Sequence, residues 1–269
     1  TLNGNVRNYH HLKNKKALNV EHIDNENDYL SLLMSTHNSN ITIGTKIYHQ
    51  ICGVDSSAIV KNKKLQKEKI DQIFIVDMQK NDSFTLNKYA SFYTSNDIDK
   101  NEILNQCKDD VDFILNNGFQ YLEQTQKDYL DNYWKFSDVK IEGDKSLQQA
   151  FRFNAYQILQ STGTDGKTNV AAKGLTGEYY EGHYFWDTET YIIPFYIYSH
   201  PEIAKQLLNY RYMILDKARD NAERMHLDGA LYPWRTINGK EASGNFLGST
   251  VQYHINADIA YAIYNYVNA

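Results

Sequence analysis

The residues best suited to chemistry lie in residues 173–189, which read KGLTGEYYEGHYFWDTE. An indole can cover the apolar face of a pyranose, while a neighbouring carboxylate accepts hydrogen bonds from the sugar hydroxyls. Trp186 and Asp187 supply both groups side by side, which predicts sugar recognition. A structural interpretation also fits, in which Trp186 packs in a core and Asp187 caps the next helix. Spacing alone favours this second interpretation.

A second segment, residues 229–241, reads GALYPWRTINGKE and places Trp234 and Arg235 before an Asn-Gly turn. The planar guanidinium of Arg235 can hold an anion or a hydroxyl, and Glu241 can pair with it. An Arg–Glu pair that merely pins the loop is an equally good interpretation.

A third segment, residues 252–262, has His254 and Asp258 four positions apart and therefore on one helix face. A metal site would need further ligands, and no HExxH or comparable set occurs. A hydrogen-bonded His–Asp pair or a substrate-facing His254 fits better. Three isolated histidines predict no site: His22, His37 and His49.

Other features exclude several protein classes. Neither a P-loop nor a GxSxG nucleophile motif is present. The net charge of −5 argues against a nucleic-acid partner. The basic stretch at residues 61–69 is interrupted by Gln66 and Glu68, and predicts a solvated loop or helix face. Cys52 and Cys107 provide neither a disulfide framework nor metal-ligand spacing.

The composition is that of a folded, soluble protein, with 42% hydrophobic and 23% charged residues among 269. No run of about 20 apolar residues could span a membrane, and the amino terminus lacks a signal-peptide core. These features predict a cytoplasmic protein. The first residue is Thr1, and Ala269 ends the chain within a helical pattern, so we expect both ends to be cut.

The elements that must position these segments change character along the chain. Residues 1–95 contain short β-rich runs at 41–51, 71–78 and 84–93, separated by polar clusters. This region is predicted to be mostly β. In the last run the apolar alternation slips at Lys88, although Phe84, Leu86, Tyr89, Phe92 and Tyr93 suit a half-buried strand.

Helical patterns follow. Asp99 and Glu102 have capping-box spacing, and Ile103, Cys107 and Val111 then recur on one helix face, which Gly118 ends. A second helix follows, and the pair is interpreted as a linker between domains. Later apolar stripes are Leu147, Phe151, Asn154 and Ile158; Leu207, Tyr210 and Ile214 after Pro201; and Ile259, Ile263 and Tyr266. Helices joined by long loops suggest a stacked ring with chemistry on the loops at one end.

Taken in order, these segments resemble glycoside hydrolase family 65, which contains maltose, trehalose and kojibiose phosphorylases. Residues 84–97 (FTLNKYASFYTSND) resemble the closing strands of that family's amino-terminal β-sandwich, and residues 147–160 (LQQAFRFNAYQILQ) its first barrel helix. The GLTGE, FWDTE, GALYPW and HINADIAYAI motifs follow in the family's order. The resemblance covers residues 84–269.

The resemblance implies a multidomain β + α fold. Residues 1–97 would form part of the β-sandwich, 98–143 a helical linker, and 144–269 the first part of an (α/α)6 barrel. Trp186 and Asp187 are then expected to bind the glucosyl ring, which reverses the preference from spacing. Five further residues are expected at the loop-bearing end of the barrel: Trp234, Arg235, Glu241, His254 and Asn256. All of them except Asn256 are predicted to bind substrate.

The implied reaction is inverting phosphorolysis of an α-linked glucosyl disaccharide. Phosphate is the co-substrate, and neither a cofactor nor a metal is expected. The family's general acid is a Glu in a motif that reads roughly GPDEYH, which these 269 residues do not contain. The acid is therefore expected beyond residue 269, and the chain alone is expected to be inactive. The family also suggests a homodimer.

Two other functions remain open. One is a glycoside hydrolase of the same barrel type, in which water replaces phosphate. The other is a non-catalytic carbohydrate-binding fragment that keeps the sugar-binding wall without the chemistry.

Overall fold

The computed structural model describes residues 17–37, 39–177, 179–243 and 247–269. The chain divides into two compact units, Thr1–Lys127 and Asp128–Ala269. β-sheets fill the early part and helices the later part, which confirms this aspect of the predicted fold. None of the helices in the described ranges combines the length and apolar character needed to cross a bilayer.

The first unit is built on two antiparallel sheets. Its strands are β1 (Leu18–Asp24), β2 (Tyr29–Thr36), β3 (Thr42–Cys52), β4 (Ile59–Gln66), β5 (Lys69–Val76) and β6 (Thr85–Thr94), with short 3-10 turns at Glu26–Asp28 and Ser56–Ala58. One sheet has the order β1-β2-β3-β6, and β4 pairs with β5 in the other. The sequence pattern identifies β3, β5 and β6 but not the other three.

Strand β4 corrects the interpretation of the basic stretch at residues 61–69. That stretch is not a loop or a helix face, because its first part is a strand paired with β5. Acidic neighbours offset its charge: Asp28 binds both Lys61 and Lys63, and Asp71 binds Lys69. Charge patterning alone therefore misidentified the element, since the strand owes its formation to backbone pairing with β5.

The burial of residues along strand β6 explains why the alternation of apolar residues slips at Lys88. Tyr89 and Ser91 are buried, whereas Leu86 and Phe92 lie about half exposed, at 48% and 57%. Because successive side chains of a strand alternate between its two faces, these residues divide into a buried and an exposed set. Both sets contain apolar residues, so hydrophobicity alone does not reveal the period.

Helix α1 (Ile103–Asn117) packs against β3 and β6. Ile103, Cys107 and Val111 are fully buried, as predicted. The close approach depends on Gly44 in β3, where an added Cβ would lie 2.2 Å from Cγ2 of Ile103. The absence of a side chain at Gly44 thus lets the first turn of α1 rest on the sheet.

The predicted capping box at the start of α1 is wrong. Glu102 occupies the cap position, and its side chain makes no capping hydrogen bond. The Asp99 carboxylate instead accepts the backbone N–H of Asn101 at 2.8 Å, in the turn before the helix. The predicted stop is confirmed, since Gly118 ends the helix with a φ of 80°.

The second unit is helical. Helix α2 (Phe119–Ser137) crosses the boundary between the units, and is followed by α3 (Lys145–Ser161), α4 (Ile193–Ser199), α5 (Pro201–Met213), α6 (Leu215–Arg224) and α7 (His254–Asn268). Short turns are a π turn at Thr188–Ile192 and 3-10 turns at Tyr179–Gly182 and Leu247–Val251. The core contains Tyr133, Leu159, Ile193, Tyr196, Ile203, Leu207 and Ala262.

The predicted stripes agree with this core in α5 and only in part in α3, where Ile158 packs against it. Leu207 and Tyr210 are fully buried, as predicted. In α3 the buried residues are Ala155 and Leu159, whereas Leu147 is 57% exposed. The inward face of α3 is set by Tyr133, whose hydroxyl donates to the Ala155 carbonyl at 3.1 Å. In α7 Ile259 is buried but Ile263 is 45% exposed.

Candidate sugar-binding site

Two of the predicted segments meet through their backbones. We call residues 173–187 the Trp186 loop and residues 229–243 the Trp234 loop. The N–H of Tyr184 donates to the Thr236 carbonyl at 2.7 Å, and the N–H of Thr236 donates back at 3.2 Å. Next to this bridge, the Phe185 and Trp234 rings meet edge to face with centroids 5.1 Å apart. Segments separated in sequence thus form one surface.

Helix α7 brings the third segment to the same place. His254, its first residue, meets the Trp186 indole with ring centroids 5.0 Å apart and planes at 86°. Trp186 is half-buried and His254 is exposed. The structure therefore places the Trp186 indole and the His254 imidazole, both predicted to bind substrate, side by side.

Asp187 distinguishes between the two interpretations of the Trp186 loop. It occupies the cap position of the π turn, yet its side chain makes no capping hydrogen bond. Its side chain is exposed, and no partner for its carboxylate occurs in the part of the chain that the structure describes. The helix-cap interpretation is wrong, and the carboxylate is accessible to a ligand.

Glu241 holds the Trp234 loop through hydrogen bonds to the backbone of that loop. Its carboxylate accepts the backbone N–H groups of Trp234 at 2.7 Å, Arg235 at 3.3 Å and Ser243 at 3.0 Å. Several N–H donors on one carboxylate make a strong, charge-assisted anchor. Glu241 therefore meets the backbone of Arg235, whereas the Arg235 guanidinium forms an ion pair with Glu181.

The Arg235 guanidinium ties the Trp234 loop to the turn at Tyr179–Gly182. Besides Glu181, it contacts the Tyr180 carbonyl at 3.4 Å and Nδ1 of His183 at 3.3 Å. Tyr180 and Glu181 both have positive φ values, 61° and 49°, which side-chain-bearing residues rarely adopt. The contacts with Arg235 help to hold this turn.

His183 lies under the same turn with its Nδ1 2.8 Å from the Tyr180 carbonyl. Burial lowers the pKa of its imidazole below the ordinary value of 6.5, and the nearby charge of Arg235 acts in the same direction. Hydrogen bonding to Tyr180 opposes this shift without cancelling it. His183 is consequently held in its neutral form near pH 7.

A buried ion pair that sequence analysis missed lies behind Trp186 and Asp187. Arg211 of α5 donates from Nε and Nη2 to the two Glu189 carboxylate oxygens at 2.7 and 2.8 Å, and from Nη2 to the Phe185 carbonyl at 3.2 Å. Both side chains are buried. Burial opposes the Arg211 charge, but attraction to Glu189 outweighs it and raises the guanidinium pKa. The only sequence signal is a charged residue beside the apolar stripe of α5.

Asn256 of α7 also holds the Trp234 loop. Its amide nitrogen donates to the Ala230 carbonyl at 2.5 Å, and its amide oxygen accepts the N–H of Tyr232 at 3.1 Å. Among the described residues Asp258 makes no hydrogen bond or ion pair with His254, and its Oδ2 is buried without a partner there. Within those ranges no three His, Cys, Asp or Glu side chains cluster as metal ligands would.

Comparisons with known proteins match the family that the sequence resembles. Two family models match the chain, the N-terminal domain of glycosyl hydrolase family 65 at residues 1–133 and its central catalytic domain at residues 152–269. An α,α-trehalose phosphorylase of Thermoanaerobacter brockii is 48% identical over 88% of the chain, and a kojibiose phosphorylase of Caldanaerobacter subterraneus is 32% identical over all of it.

A solved structure shows the same likeness. It is a human-microbiome protein assigned as a kojibiose phosphorylase, 28% identical over 94% of this chain and 33% of its own, with a TM-score of 0.79. The chain spans 30% of the trehalose phosphorylase and 37% of the kojibiose phosphorylase.

Proposed function

The chain belongs to glycoside hydrolase family 65, and we propose that the protein containing it cleaves an α-linked glucosyl disaccharide by inverting phosphorolysis. Support comes from relatives that are named as trehalose, kojibiose and maltose phosphorylases. In this proposal the sheets of the first unit are part of a β-sandwich (residues 1–97), with a helical linker (98–143), and residues 144–269 begin an (α/α)6 barrel.

The observation that carries the proposal is the exposed carboxylate of Asp187 beside the half-buried indole of Trp186. An aromatic face and an acceptor with no protein partner among the described residues are what a pyranose needs for recognition. Exposed His254 lies next to the indole, and the Tyr184–Thr236 bridge joins the Trp234 loop to the Trp186 loop. We therefore assign glucosyl binding to Trp186 and Asp187, and further substrate contacts to Trp234, Arg235 and His254. We do not extend this assignment to Glu241, which was also predicted to bind substrate, because its carboxylate already accepts three backbone N–H groups.

The proposed chemistry needs one general acid. Phosphate oxygen forms a bond to the anomeric carbon on the face opposite the leaving group, while the glycosidic C–O bond breaks and its oxygen takes a proton from the acid. Inverting hydrolases need a second carboxylate to activate water, whereas phosphate is already an anion. The products are β-glucose 1-phosphate and a free sugar.

The carboxylate of Asp187 would stabilise the positive charge that develops on the glucosyl ring. The general acid is proposed to be a Glu outside these 269 residues, so we expect the 269-residue chain alone to be inactive. Phosphate serves as co-substrate and no cofactor is required. A homodimer in the cytoplasm is part of the same proposal.

Phosphorolysis by the full-length gene product tests this function directly. The panel contains trehalose, kojibiose, maltose and nigerose, each with and without phosphate. Trehalose comes first because identity is higher to the trehalose phosphorylase, 48%, than to the kojibiose phosphorylase, 32%. Products are followed by proton NMR, which distinguishes the α and β anomers of glucose 1-phosphate.

Phosphate-dependent β-glucose 1-phosphate is the expected result, and the substrate that yields it identifies the linkage. Glucose release that does not depend on phosphate would replace the proposal with a hydrolase. Binding of the sugars without turnover would point to a carbohydrate-binding protein.

A further inference from the structure

The guanidinium of Arg211 contacts the chain on both sides of Trp186 and Asp187. Nη2 binds the Phe185 carbonyl, one residue before Trp186, and the Nε–Nη2 edge binds the carboxylate of Glu189, two residues after Asp187. Both ends of the sugar-binding dipeptide are thus attached to one rigid, planar group on α5. A lysine could not reproduce this arrangement, because its ammonium is a single point charge.

Stability alone is a poor reason for this pair. The Arg211 and Glu189 side chains are 1% and 0% exposed, and moving both charges out of water costs free energy that their attraction only partly offsets. In addition, Nη1 of Arg211 is buried without a hydrogen-bond partner in the described ranges. Well-packed apolar side chains would often be as stable or more so. The pair instead supplies a fixed geometry.

The same residue reaches the other two segments of the site. The backbone carbonyl of Arg211 accepts the hydroxyl of Tyr232 at 3.1 Å, and the backbone N–H of Tyr232 is held by Asn256 of α7. Arg211 therefore connects α5 with the Trp186 loop, and through Tyr232 with the Trp234 loop and α7. A displacement of its side chain acts directly on the Trp186 loop.

We propose that Arg211 is a positioning residue, which with Glu189 fixes Trp186 and Asp187 in the orientation that binds the glucosyl ring. Its role in sugar binding rests on the proposed function, whereas its role in holding the segment does not. Arg211 itself is buried, so we expect it to act through Trp186 and Asp187 rather than by contact with the sugar.

Three variants of the full-length gene product test this inference. Arg211→Lys and Glu189→Asp keep both charges but break the two-pronged geometry. The double variant Glu189→Leu/Arg211→Met removes both charges together and is expected to stay folded, because apolar replacement of a whole buried pair is well tolerated. The matched control is Arg152→Lys, since Arg152 forms a similar two-pronged pair with Asp138 on the surface of α3.

Hydrogen exchange followed by mass spectrometry measures the segment without relying on activity. Peptides that cover residues 184–190 report the N–H groups of Tyr184, Glu189 and Thr190, which are bonded to Thr236 and Trp186. We expect exchange in these peptides to rise on the order of tenfold in the three variants, well below the unfolding temperature. Peptides from α1 and the Arg152→Lys control are expected to exchange as in the wild type.

Steady-state kinetics provide the second measurement. In the folded double variant kcat/KM for the disaccharide is expected to fall on the order of 10- to 100-fold, as for a slightly misplaced binding group. Wild-type exchange at 184–190 in the folded double variant would overturn the inference, and so would wild-type kcat/KM despite faster exchange. If the wild type itself showed no phosphorolysis, the proposed function would fall, while the exchange data would still decide whether Arg211 holds the segment.

Discussion

The imidazole of His254 meets the indole of Trp186 edge to face, with ring centroids 5.0 Å apart. His254 begins α7, whereas Trp186 lies in the loop before α4, so the contact joins two of the three candidate segments. The Tyr184–Thr236 bridge joins the third. Several consequences of this arrangement can be measured separately in the full-length gene product.

Asp187→Asn is expected to lower kcat/KM for the disaccharide by about 100-fold or more, because it removes a charge that would stabilise the transition state. The melting temperature is expected to stay close to that of the wild type, since the Asp187 side chain is exposed and makes no helix-capping bond. Steady-state kinetics and thermal unfolding of the same preparation measure the two quantities.

The control for Asp187→Asn is Asp220→Asn, which changes an exposed carboxylate on α6. It is expected to leave both quantities unchanged. A large drop in melting temperature for Asp187→Asn would mean that the carboxylate is structural.

His254→Phe separates packing from hydrogen bonding. Phenylalanine can keep the edge contact with Trp186 but can neither donate nor accept a hydrogen bond. If His254 binds a sugar hydroxyl, kcat/KM is expected to fall by about tenfold, the cost of one lost hydrogen bond. Activity equal to wild type in His254→Phe, together with loss in His254→Ala, would show that His254 only supports the indole.

Glu241→Gln is expected to destabilise the protein and impair the Trp234 loop. Its carboxylate accepts three backbone N–H groups, two of them from Trp234 and Arg235. Loss of the charge and rearrangement of these bonds should lower the free energy of unfolding by about 1–3 kcal/mol. Urea unfolding measures the change. Glu223→Gln, on the exposed side of α6, is the control and should have little effect.

The free energy of unfolding is expected to fall as the pH drops below 6.5, the ordinary pKa of a histidine in the unfolded chain. Burial holds the pKa of His183 below 6.5 in the folded protein. Between the two pKa values the unfolded chain therefore binds more protons than the folded one, so acid favours unfolding. The stabilisation from neutral His183 is fully present above 6.5, the pKa of His183 in the unfolded chain. It decreases as the pH falls through that value and stops changing below the pKa of His183 in the folded protein.

Urea unfolding of wild type and His183→Gln between about pH 7 and pH 5 measures this contribution. The difference in free energy of unfolding between the two proteins should shrink or change sign as the pH falls. A constant difference across that range would show that His183 does not contribute to the pH dependence.

Local sequence patterns predicted the elements whose structure is decided locally. Gly118 ends α1 because glycine adopts a positive φ without strain, and Gly239 forms its turn for the same reason. Leu207 and Tyr210 are buried because their spacing matches a helical face. The predictions failed for β4 and for the inward face of α3, where pairing or packing with distant residues outweighed the local pattern. The predicted start of α1 failed because the Asp99 carboxylate accepts the N–H of Asn101 in the turn before the helix.

By itself the sequence determined the order of the motifs and the change from strands to helices, since both are recorded in residue types and spacings. The family followed from the resemblance of those motifs to known proteins. Only the tertiary structure decided that the Asp187 carboxylate makes no capping hydrogen bond, that Glu241 holds backbone N–H groups and that Arg211 binds Glu189. The Arg211–Glu189 contact joins residues 22 positions apart, and the Glu241 contacts close a loop across two to seven positions. Their formation depends on which side chains the folded core withdraws from water together, and no local period encodes that.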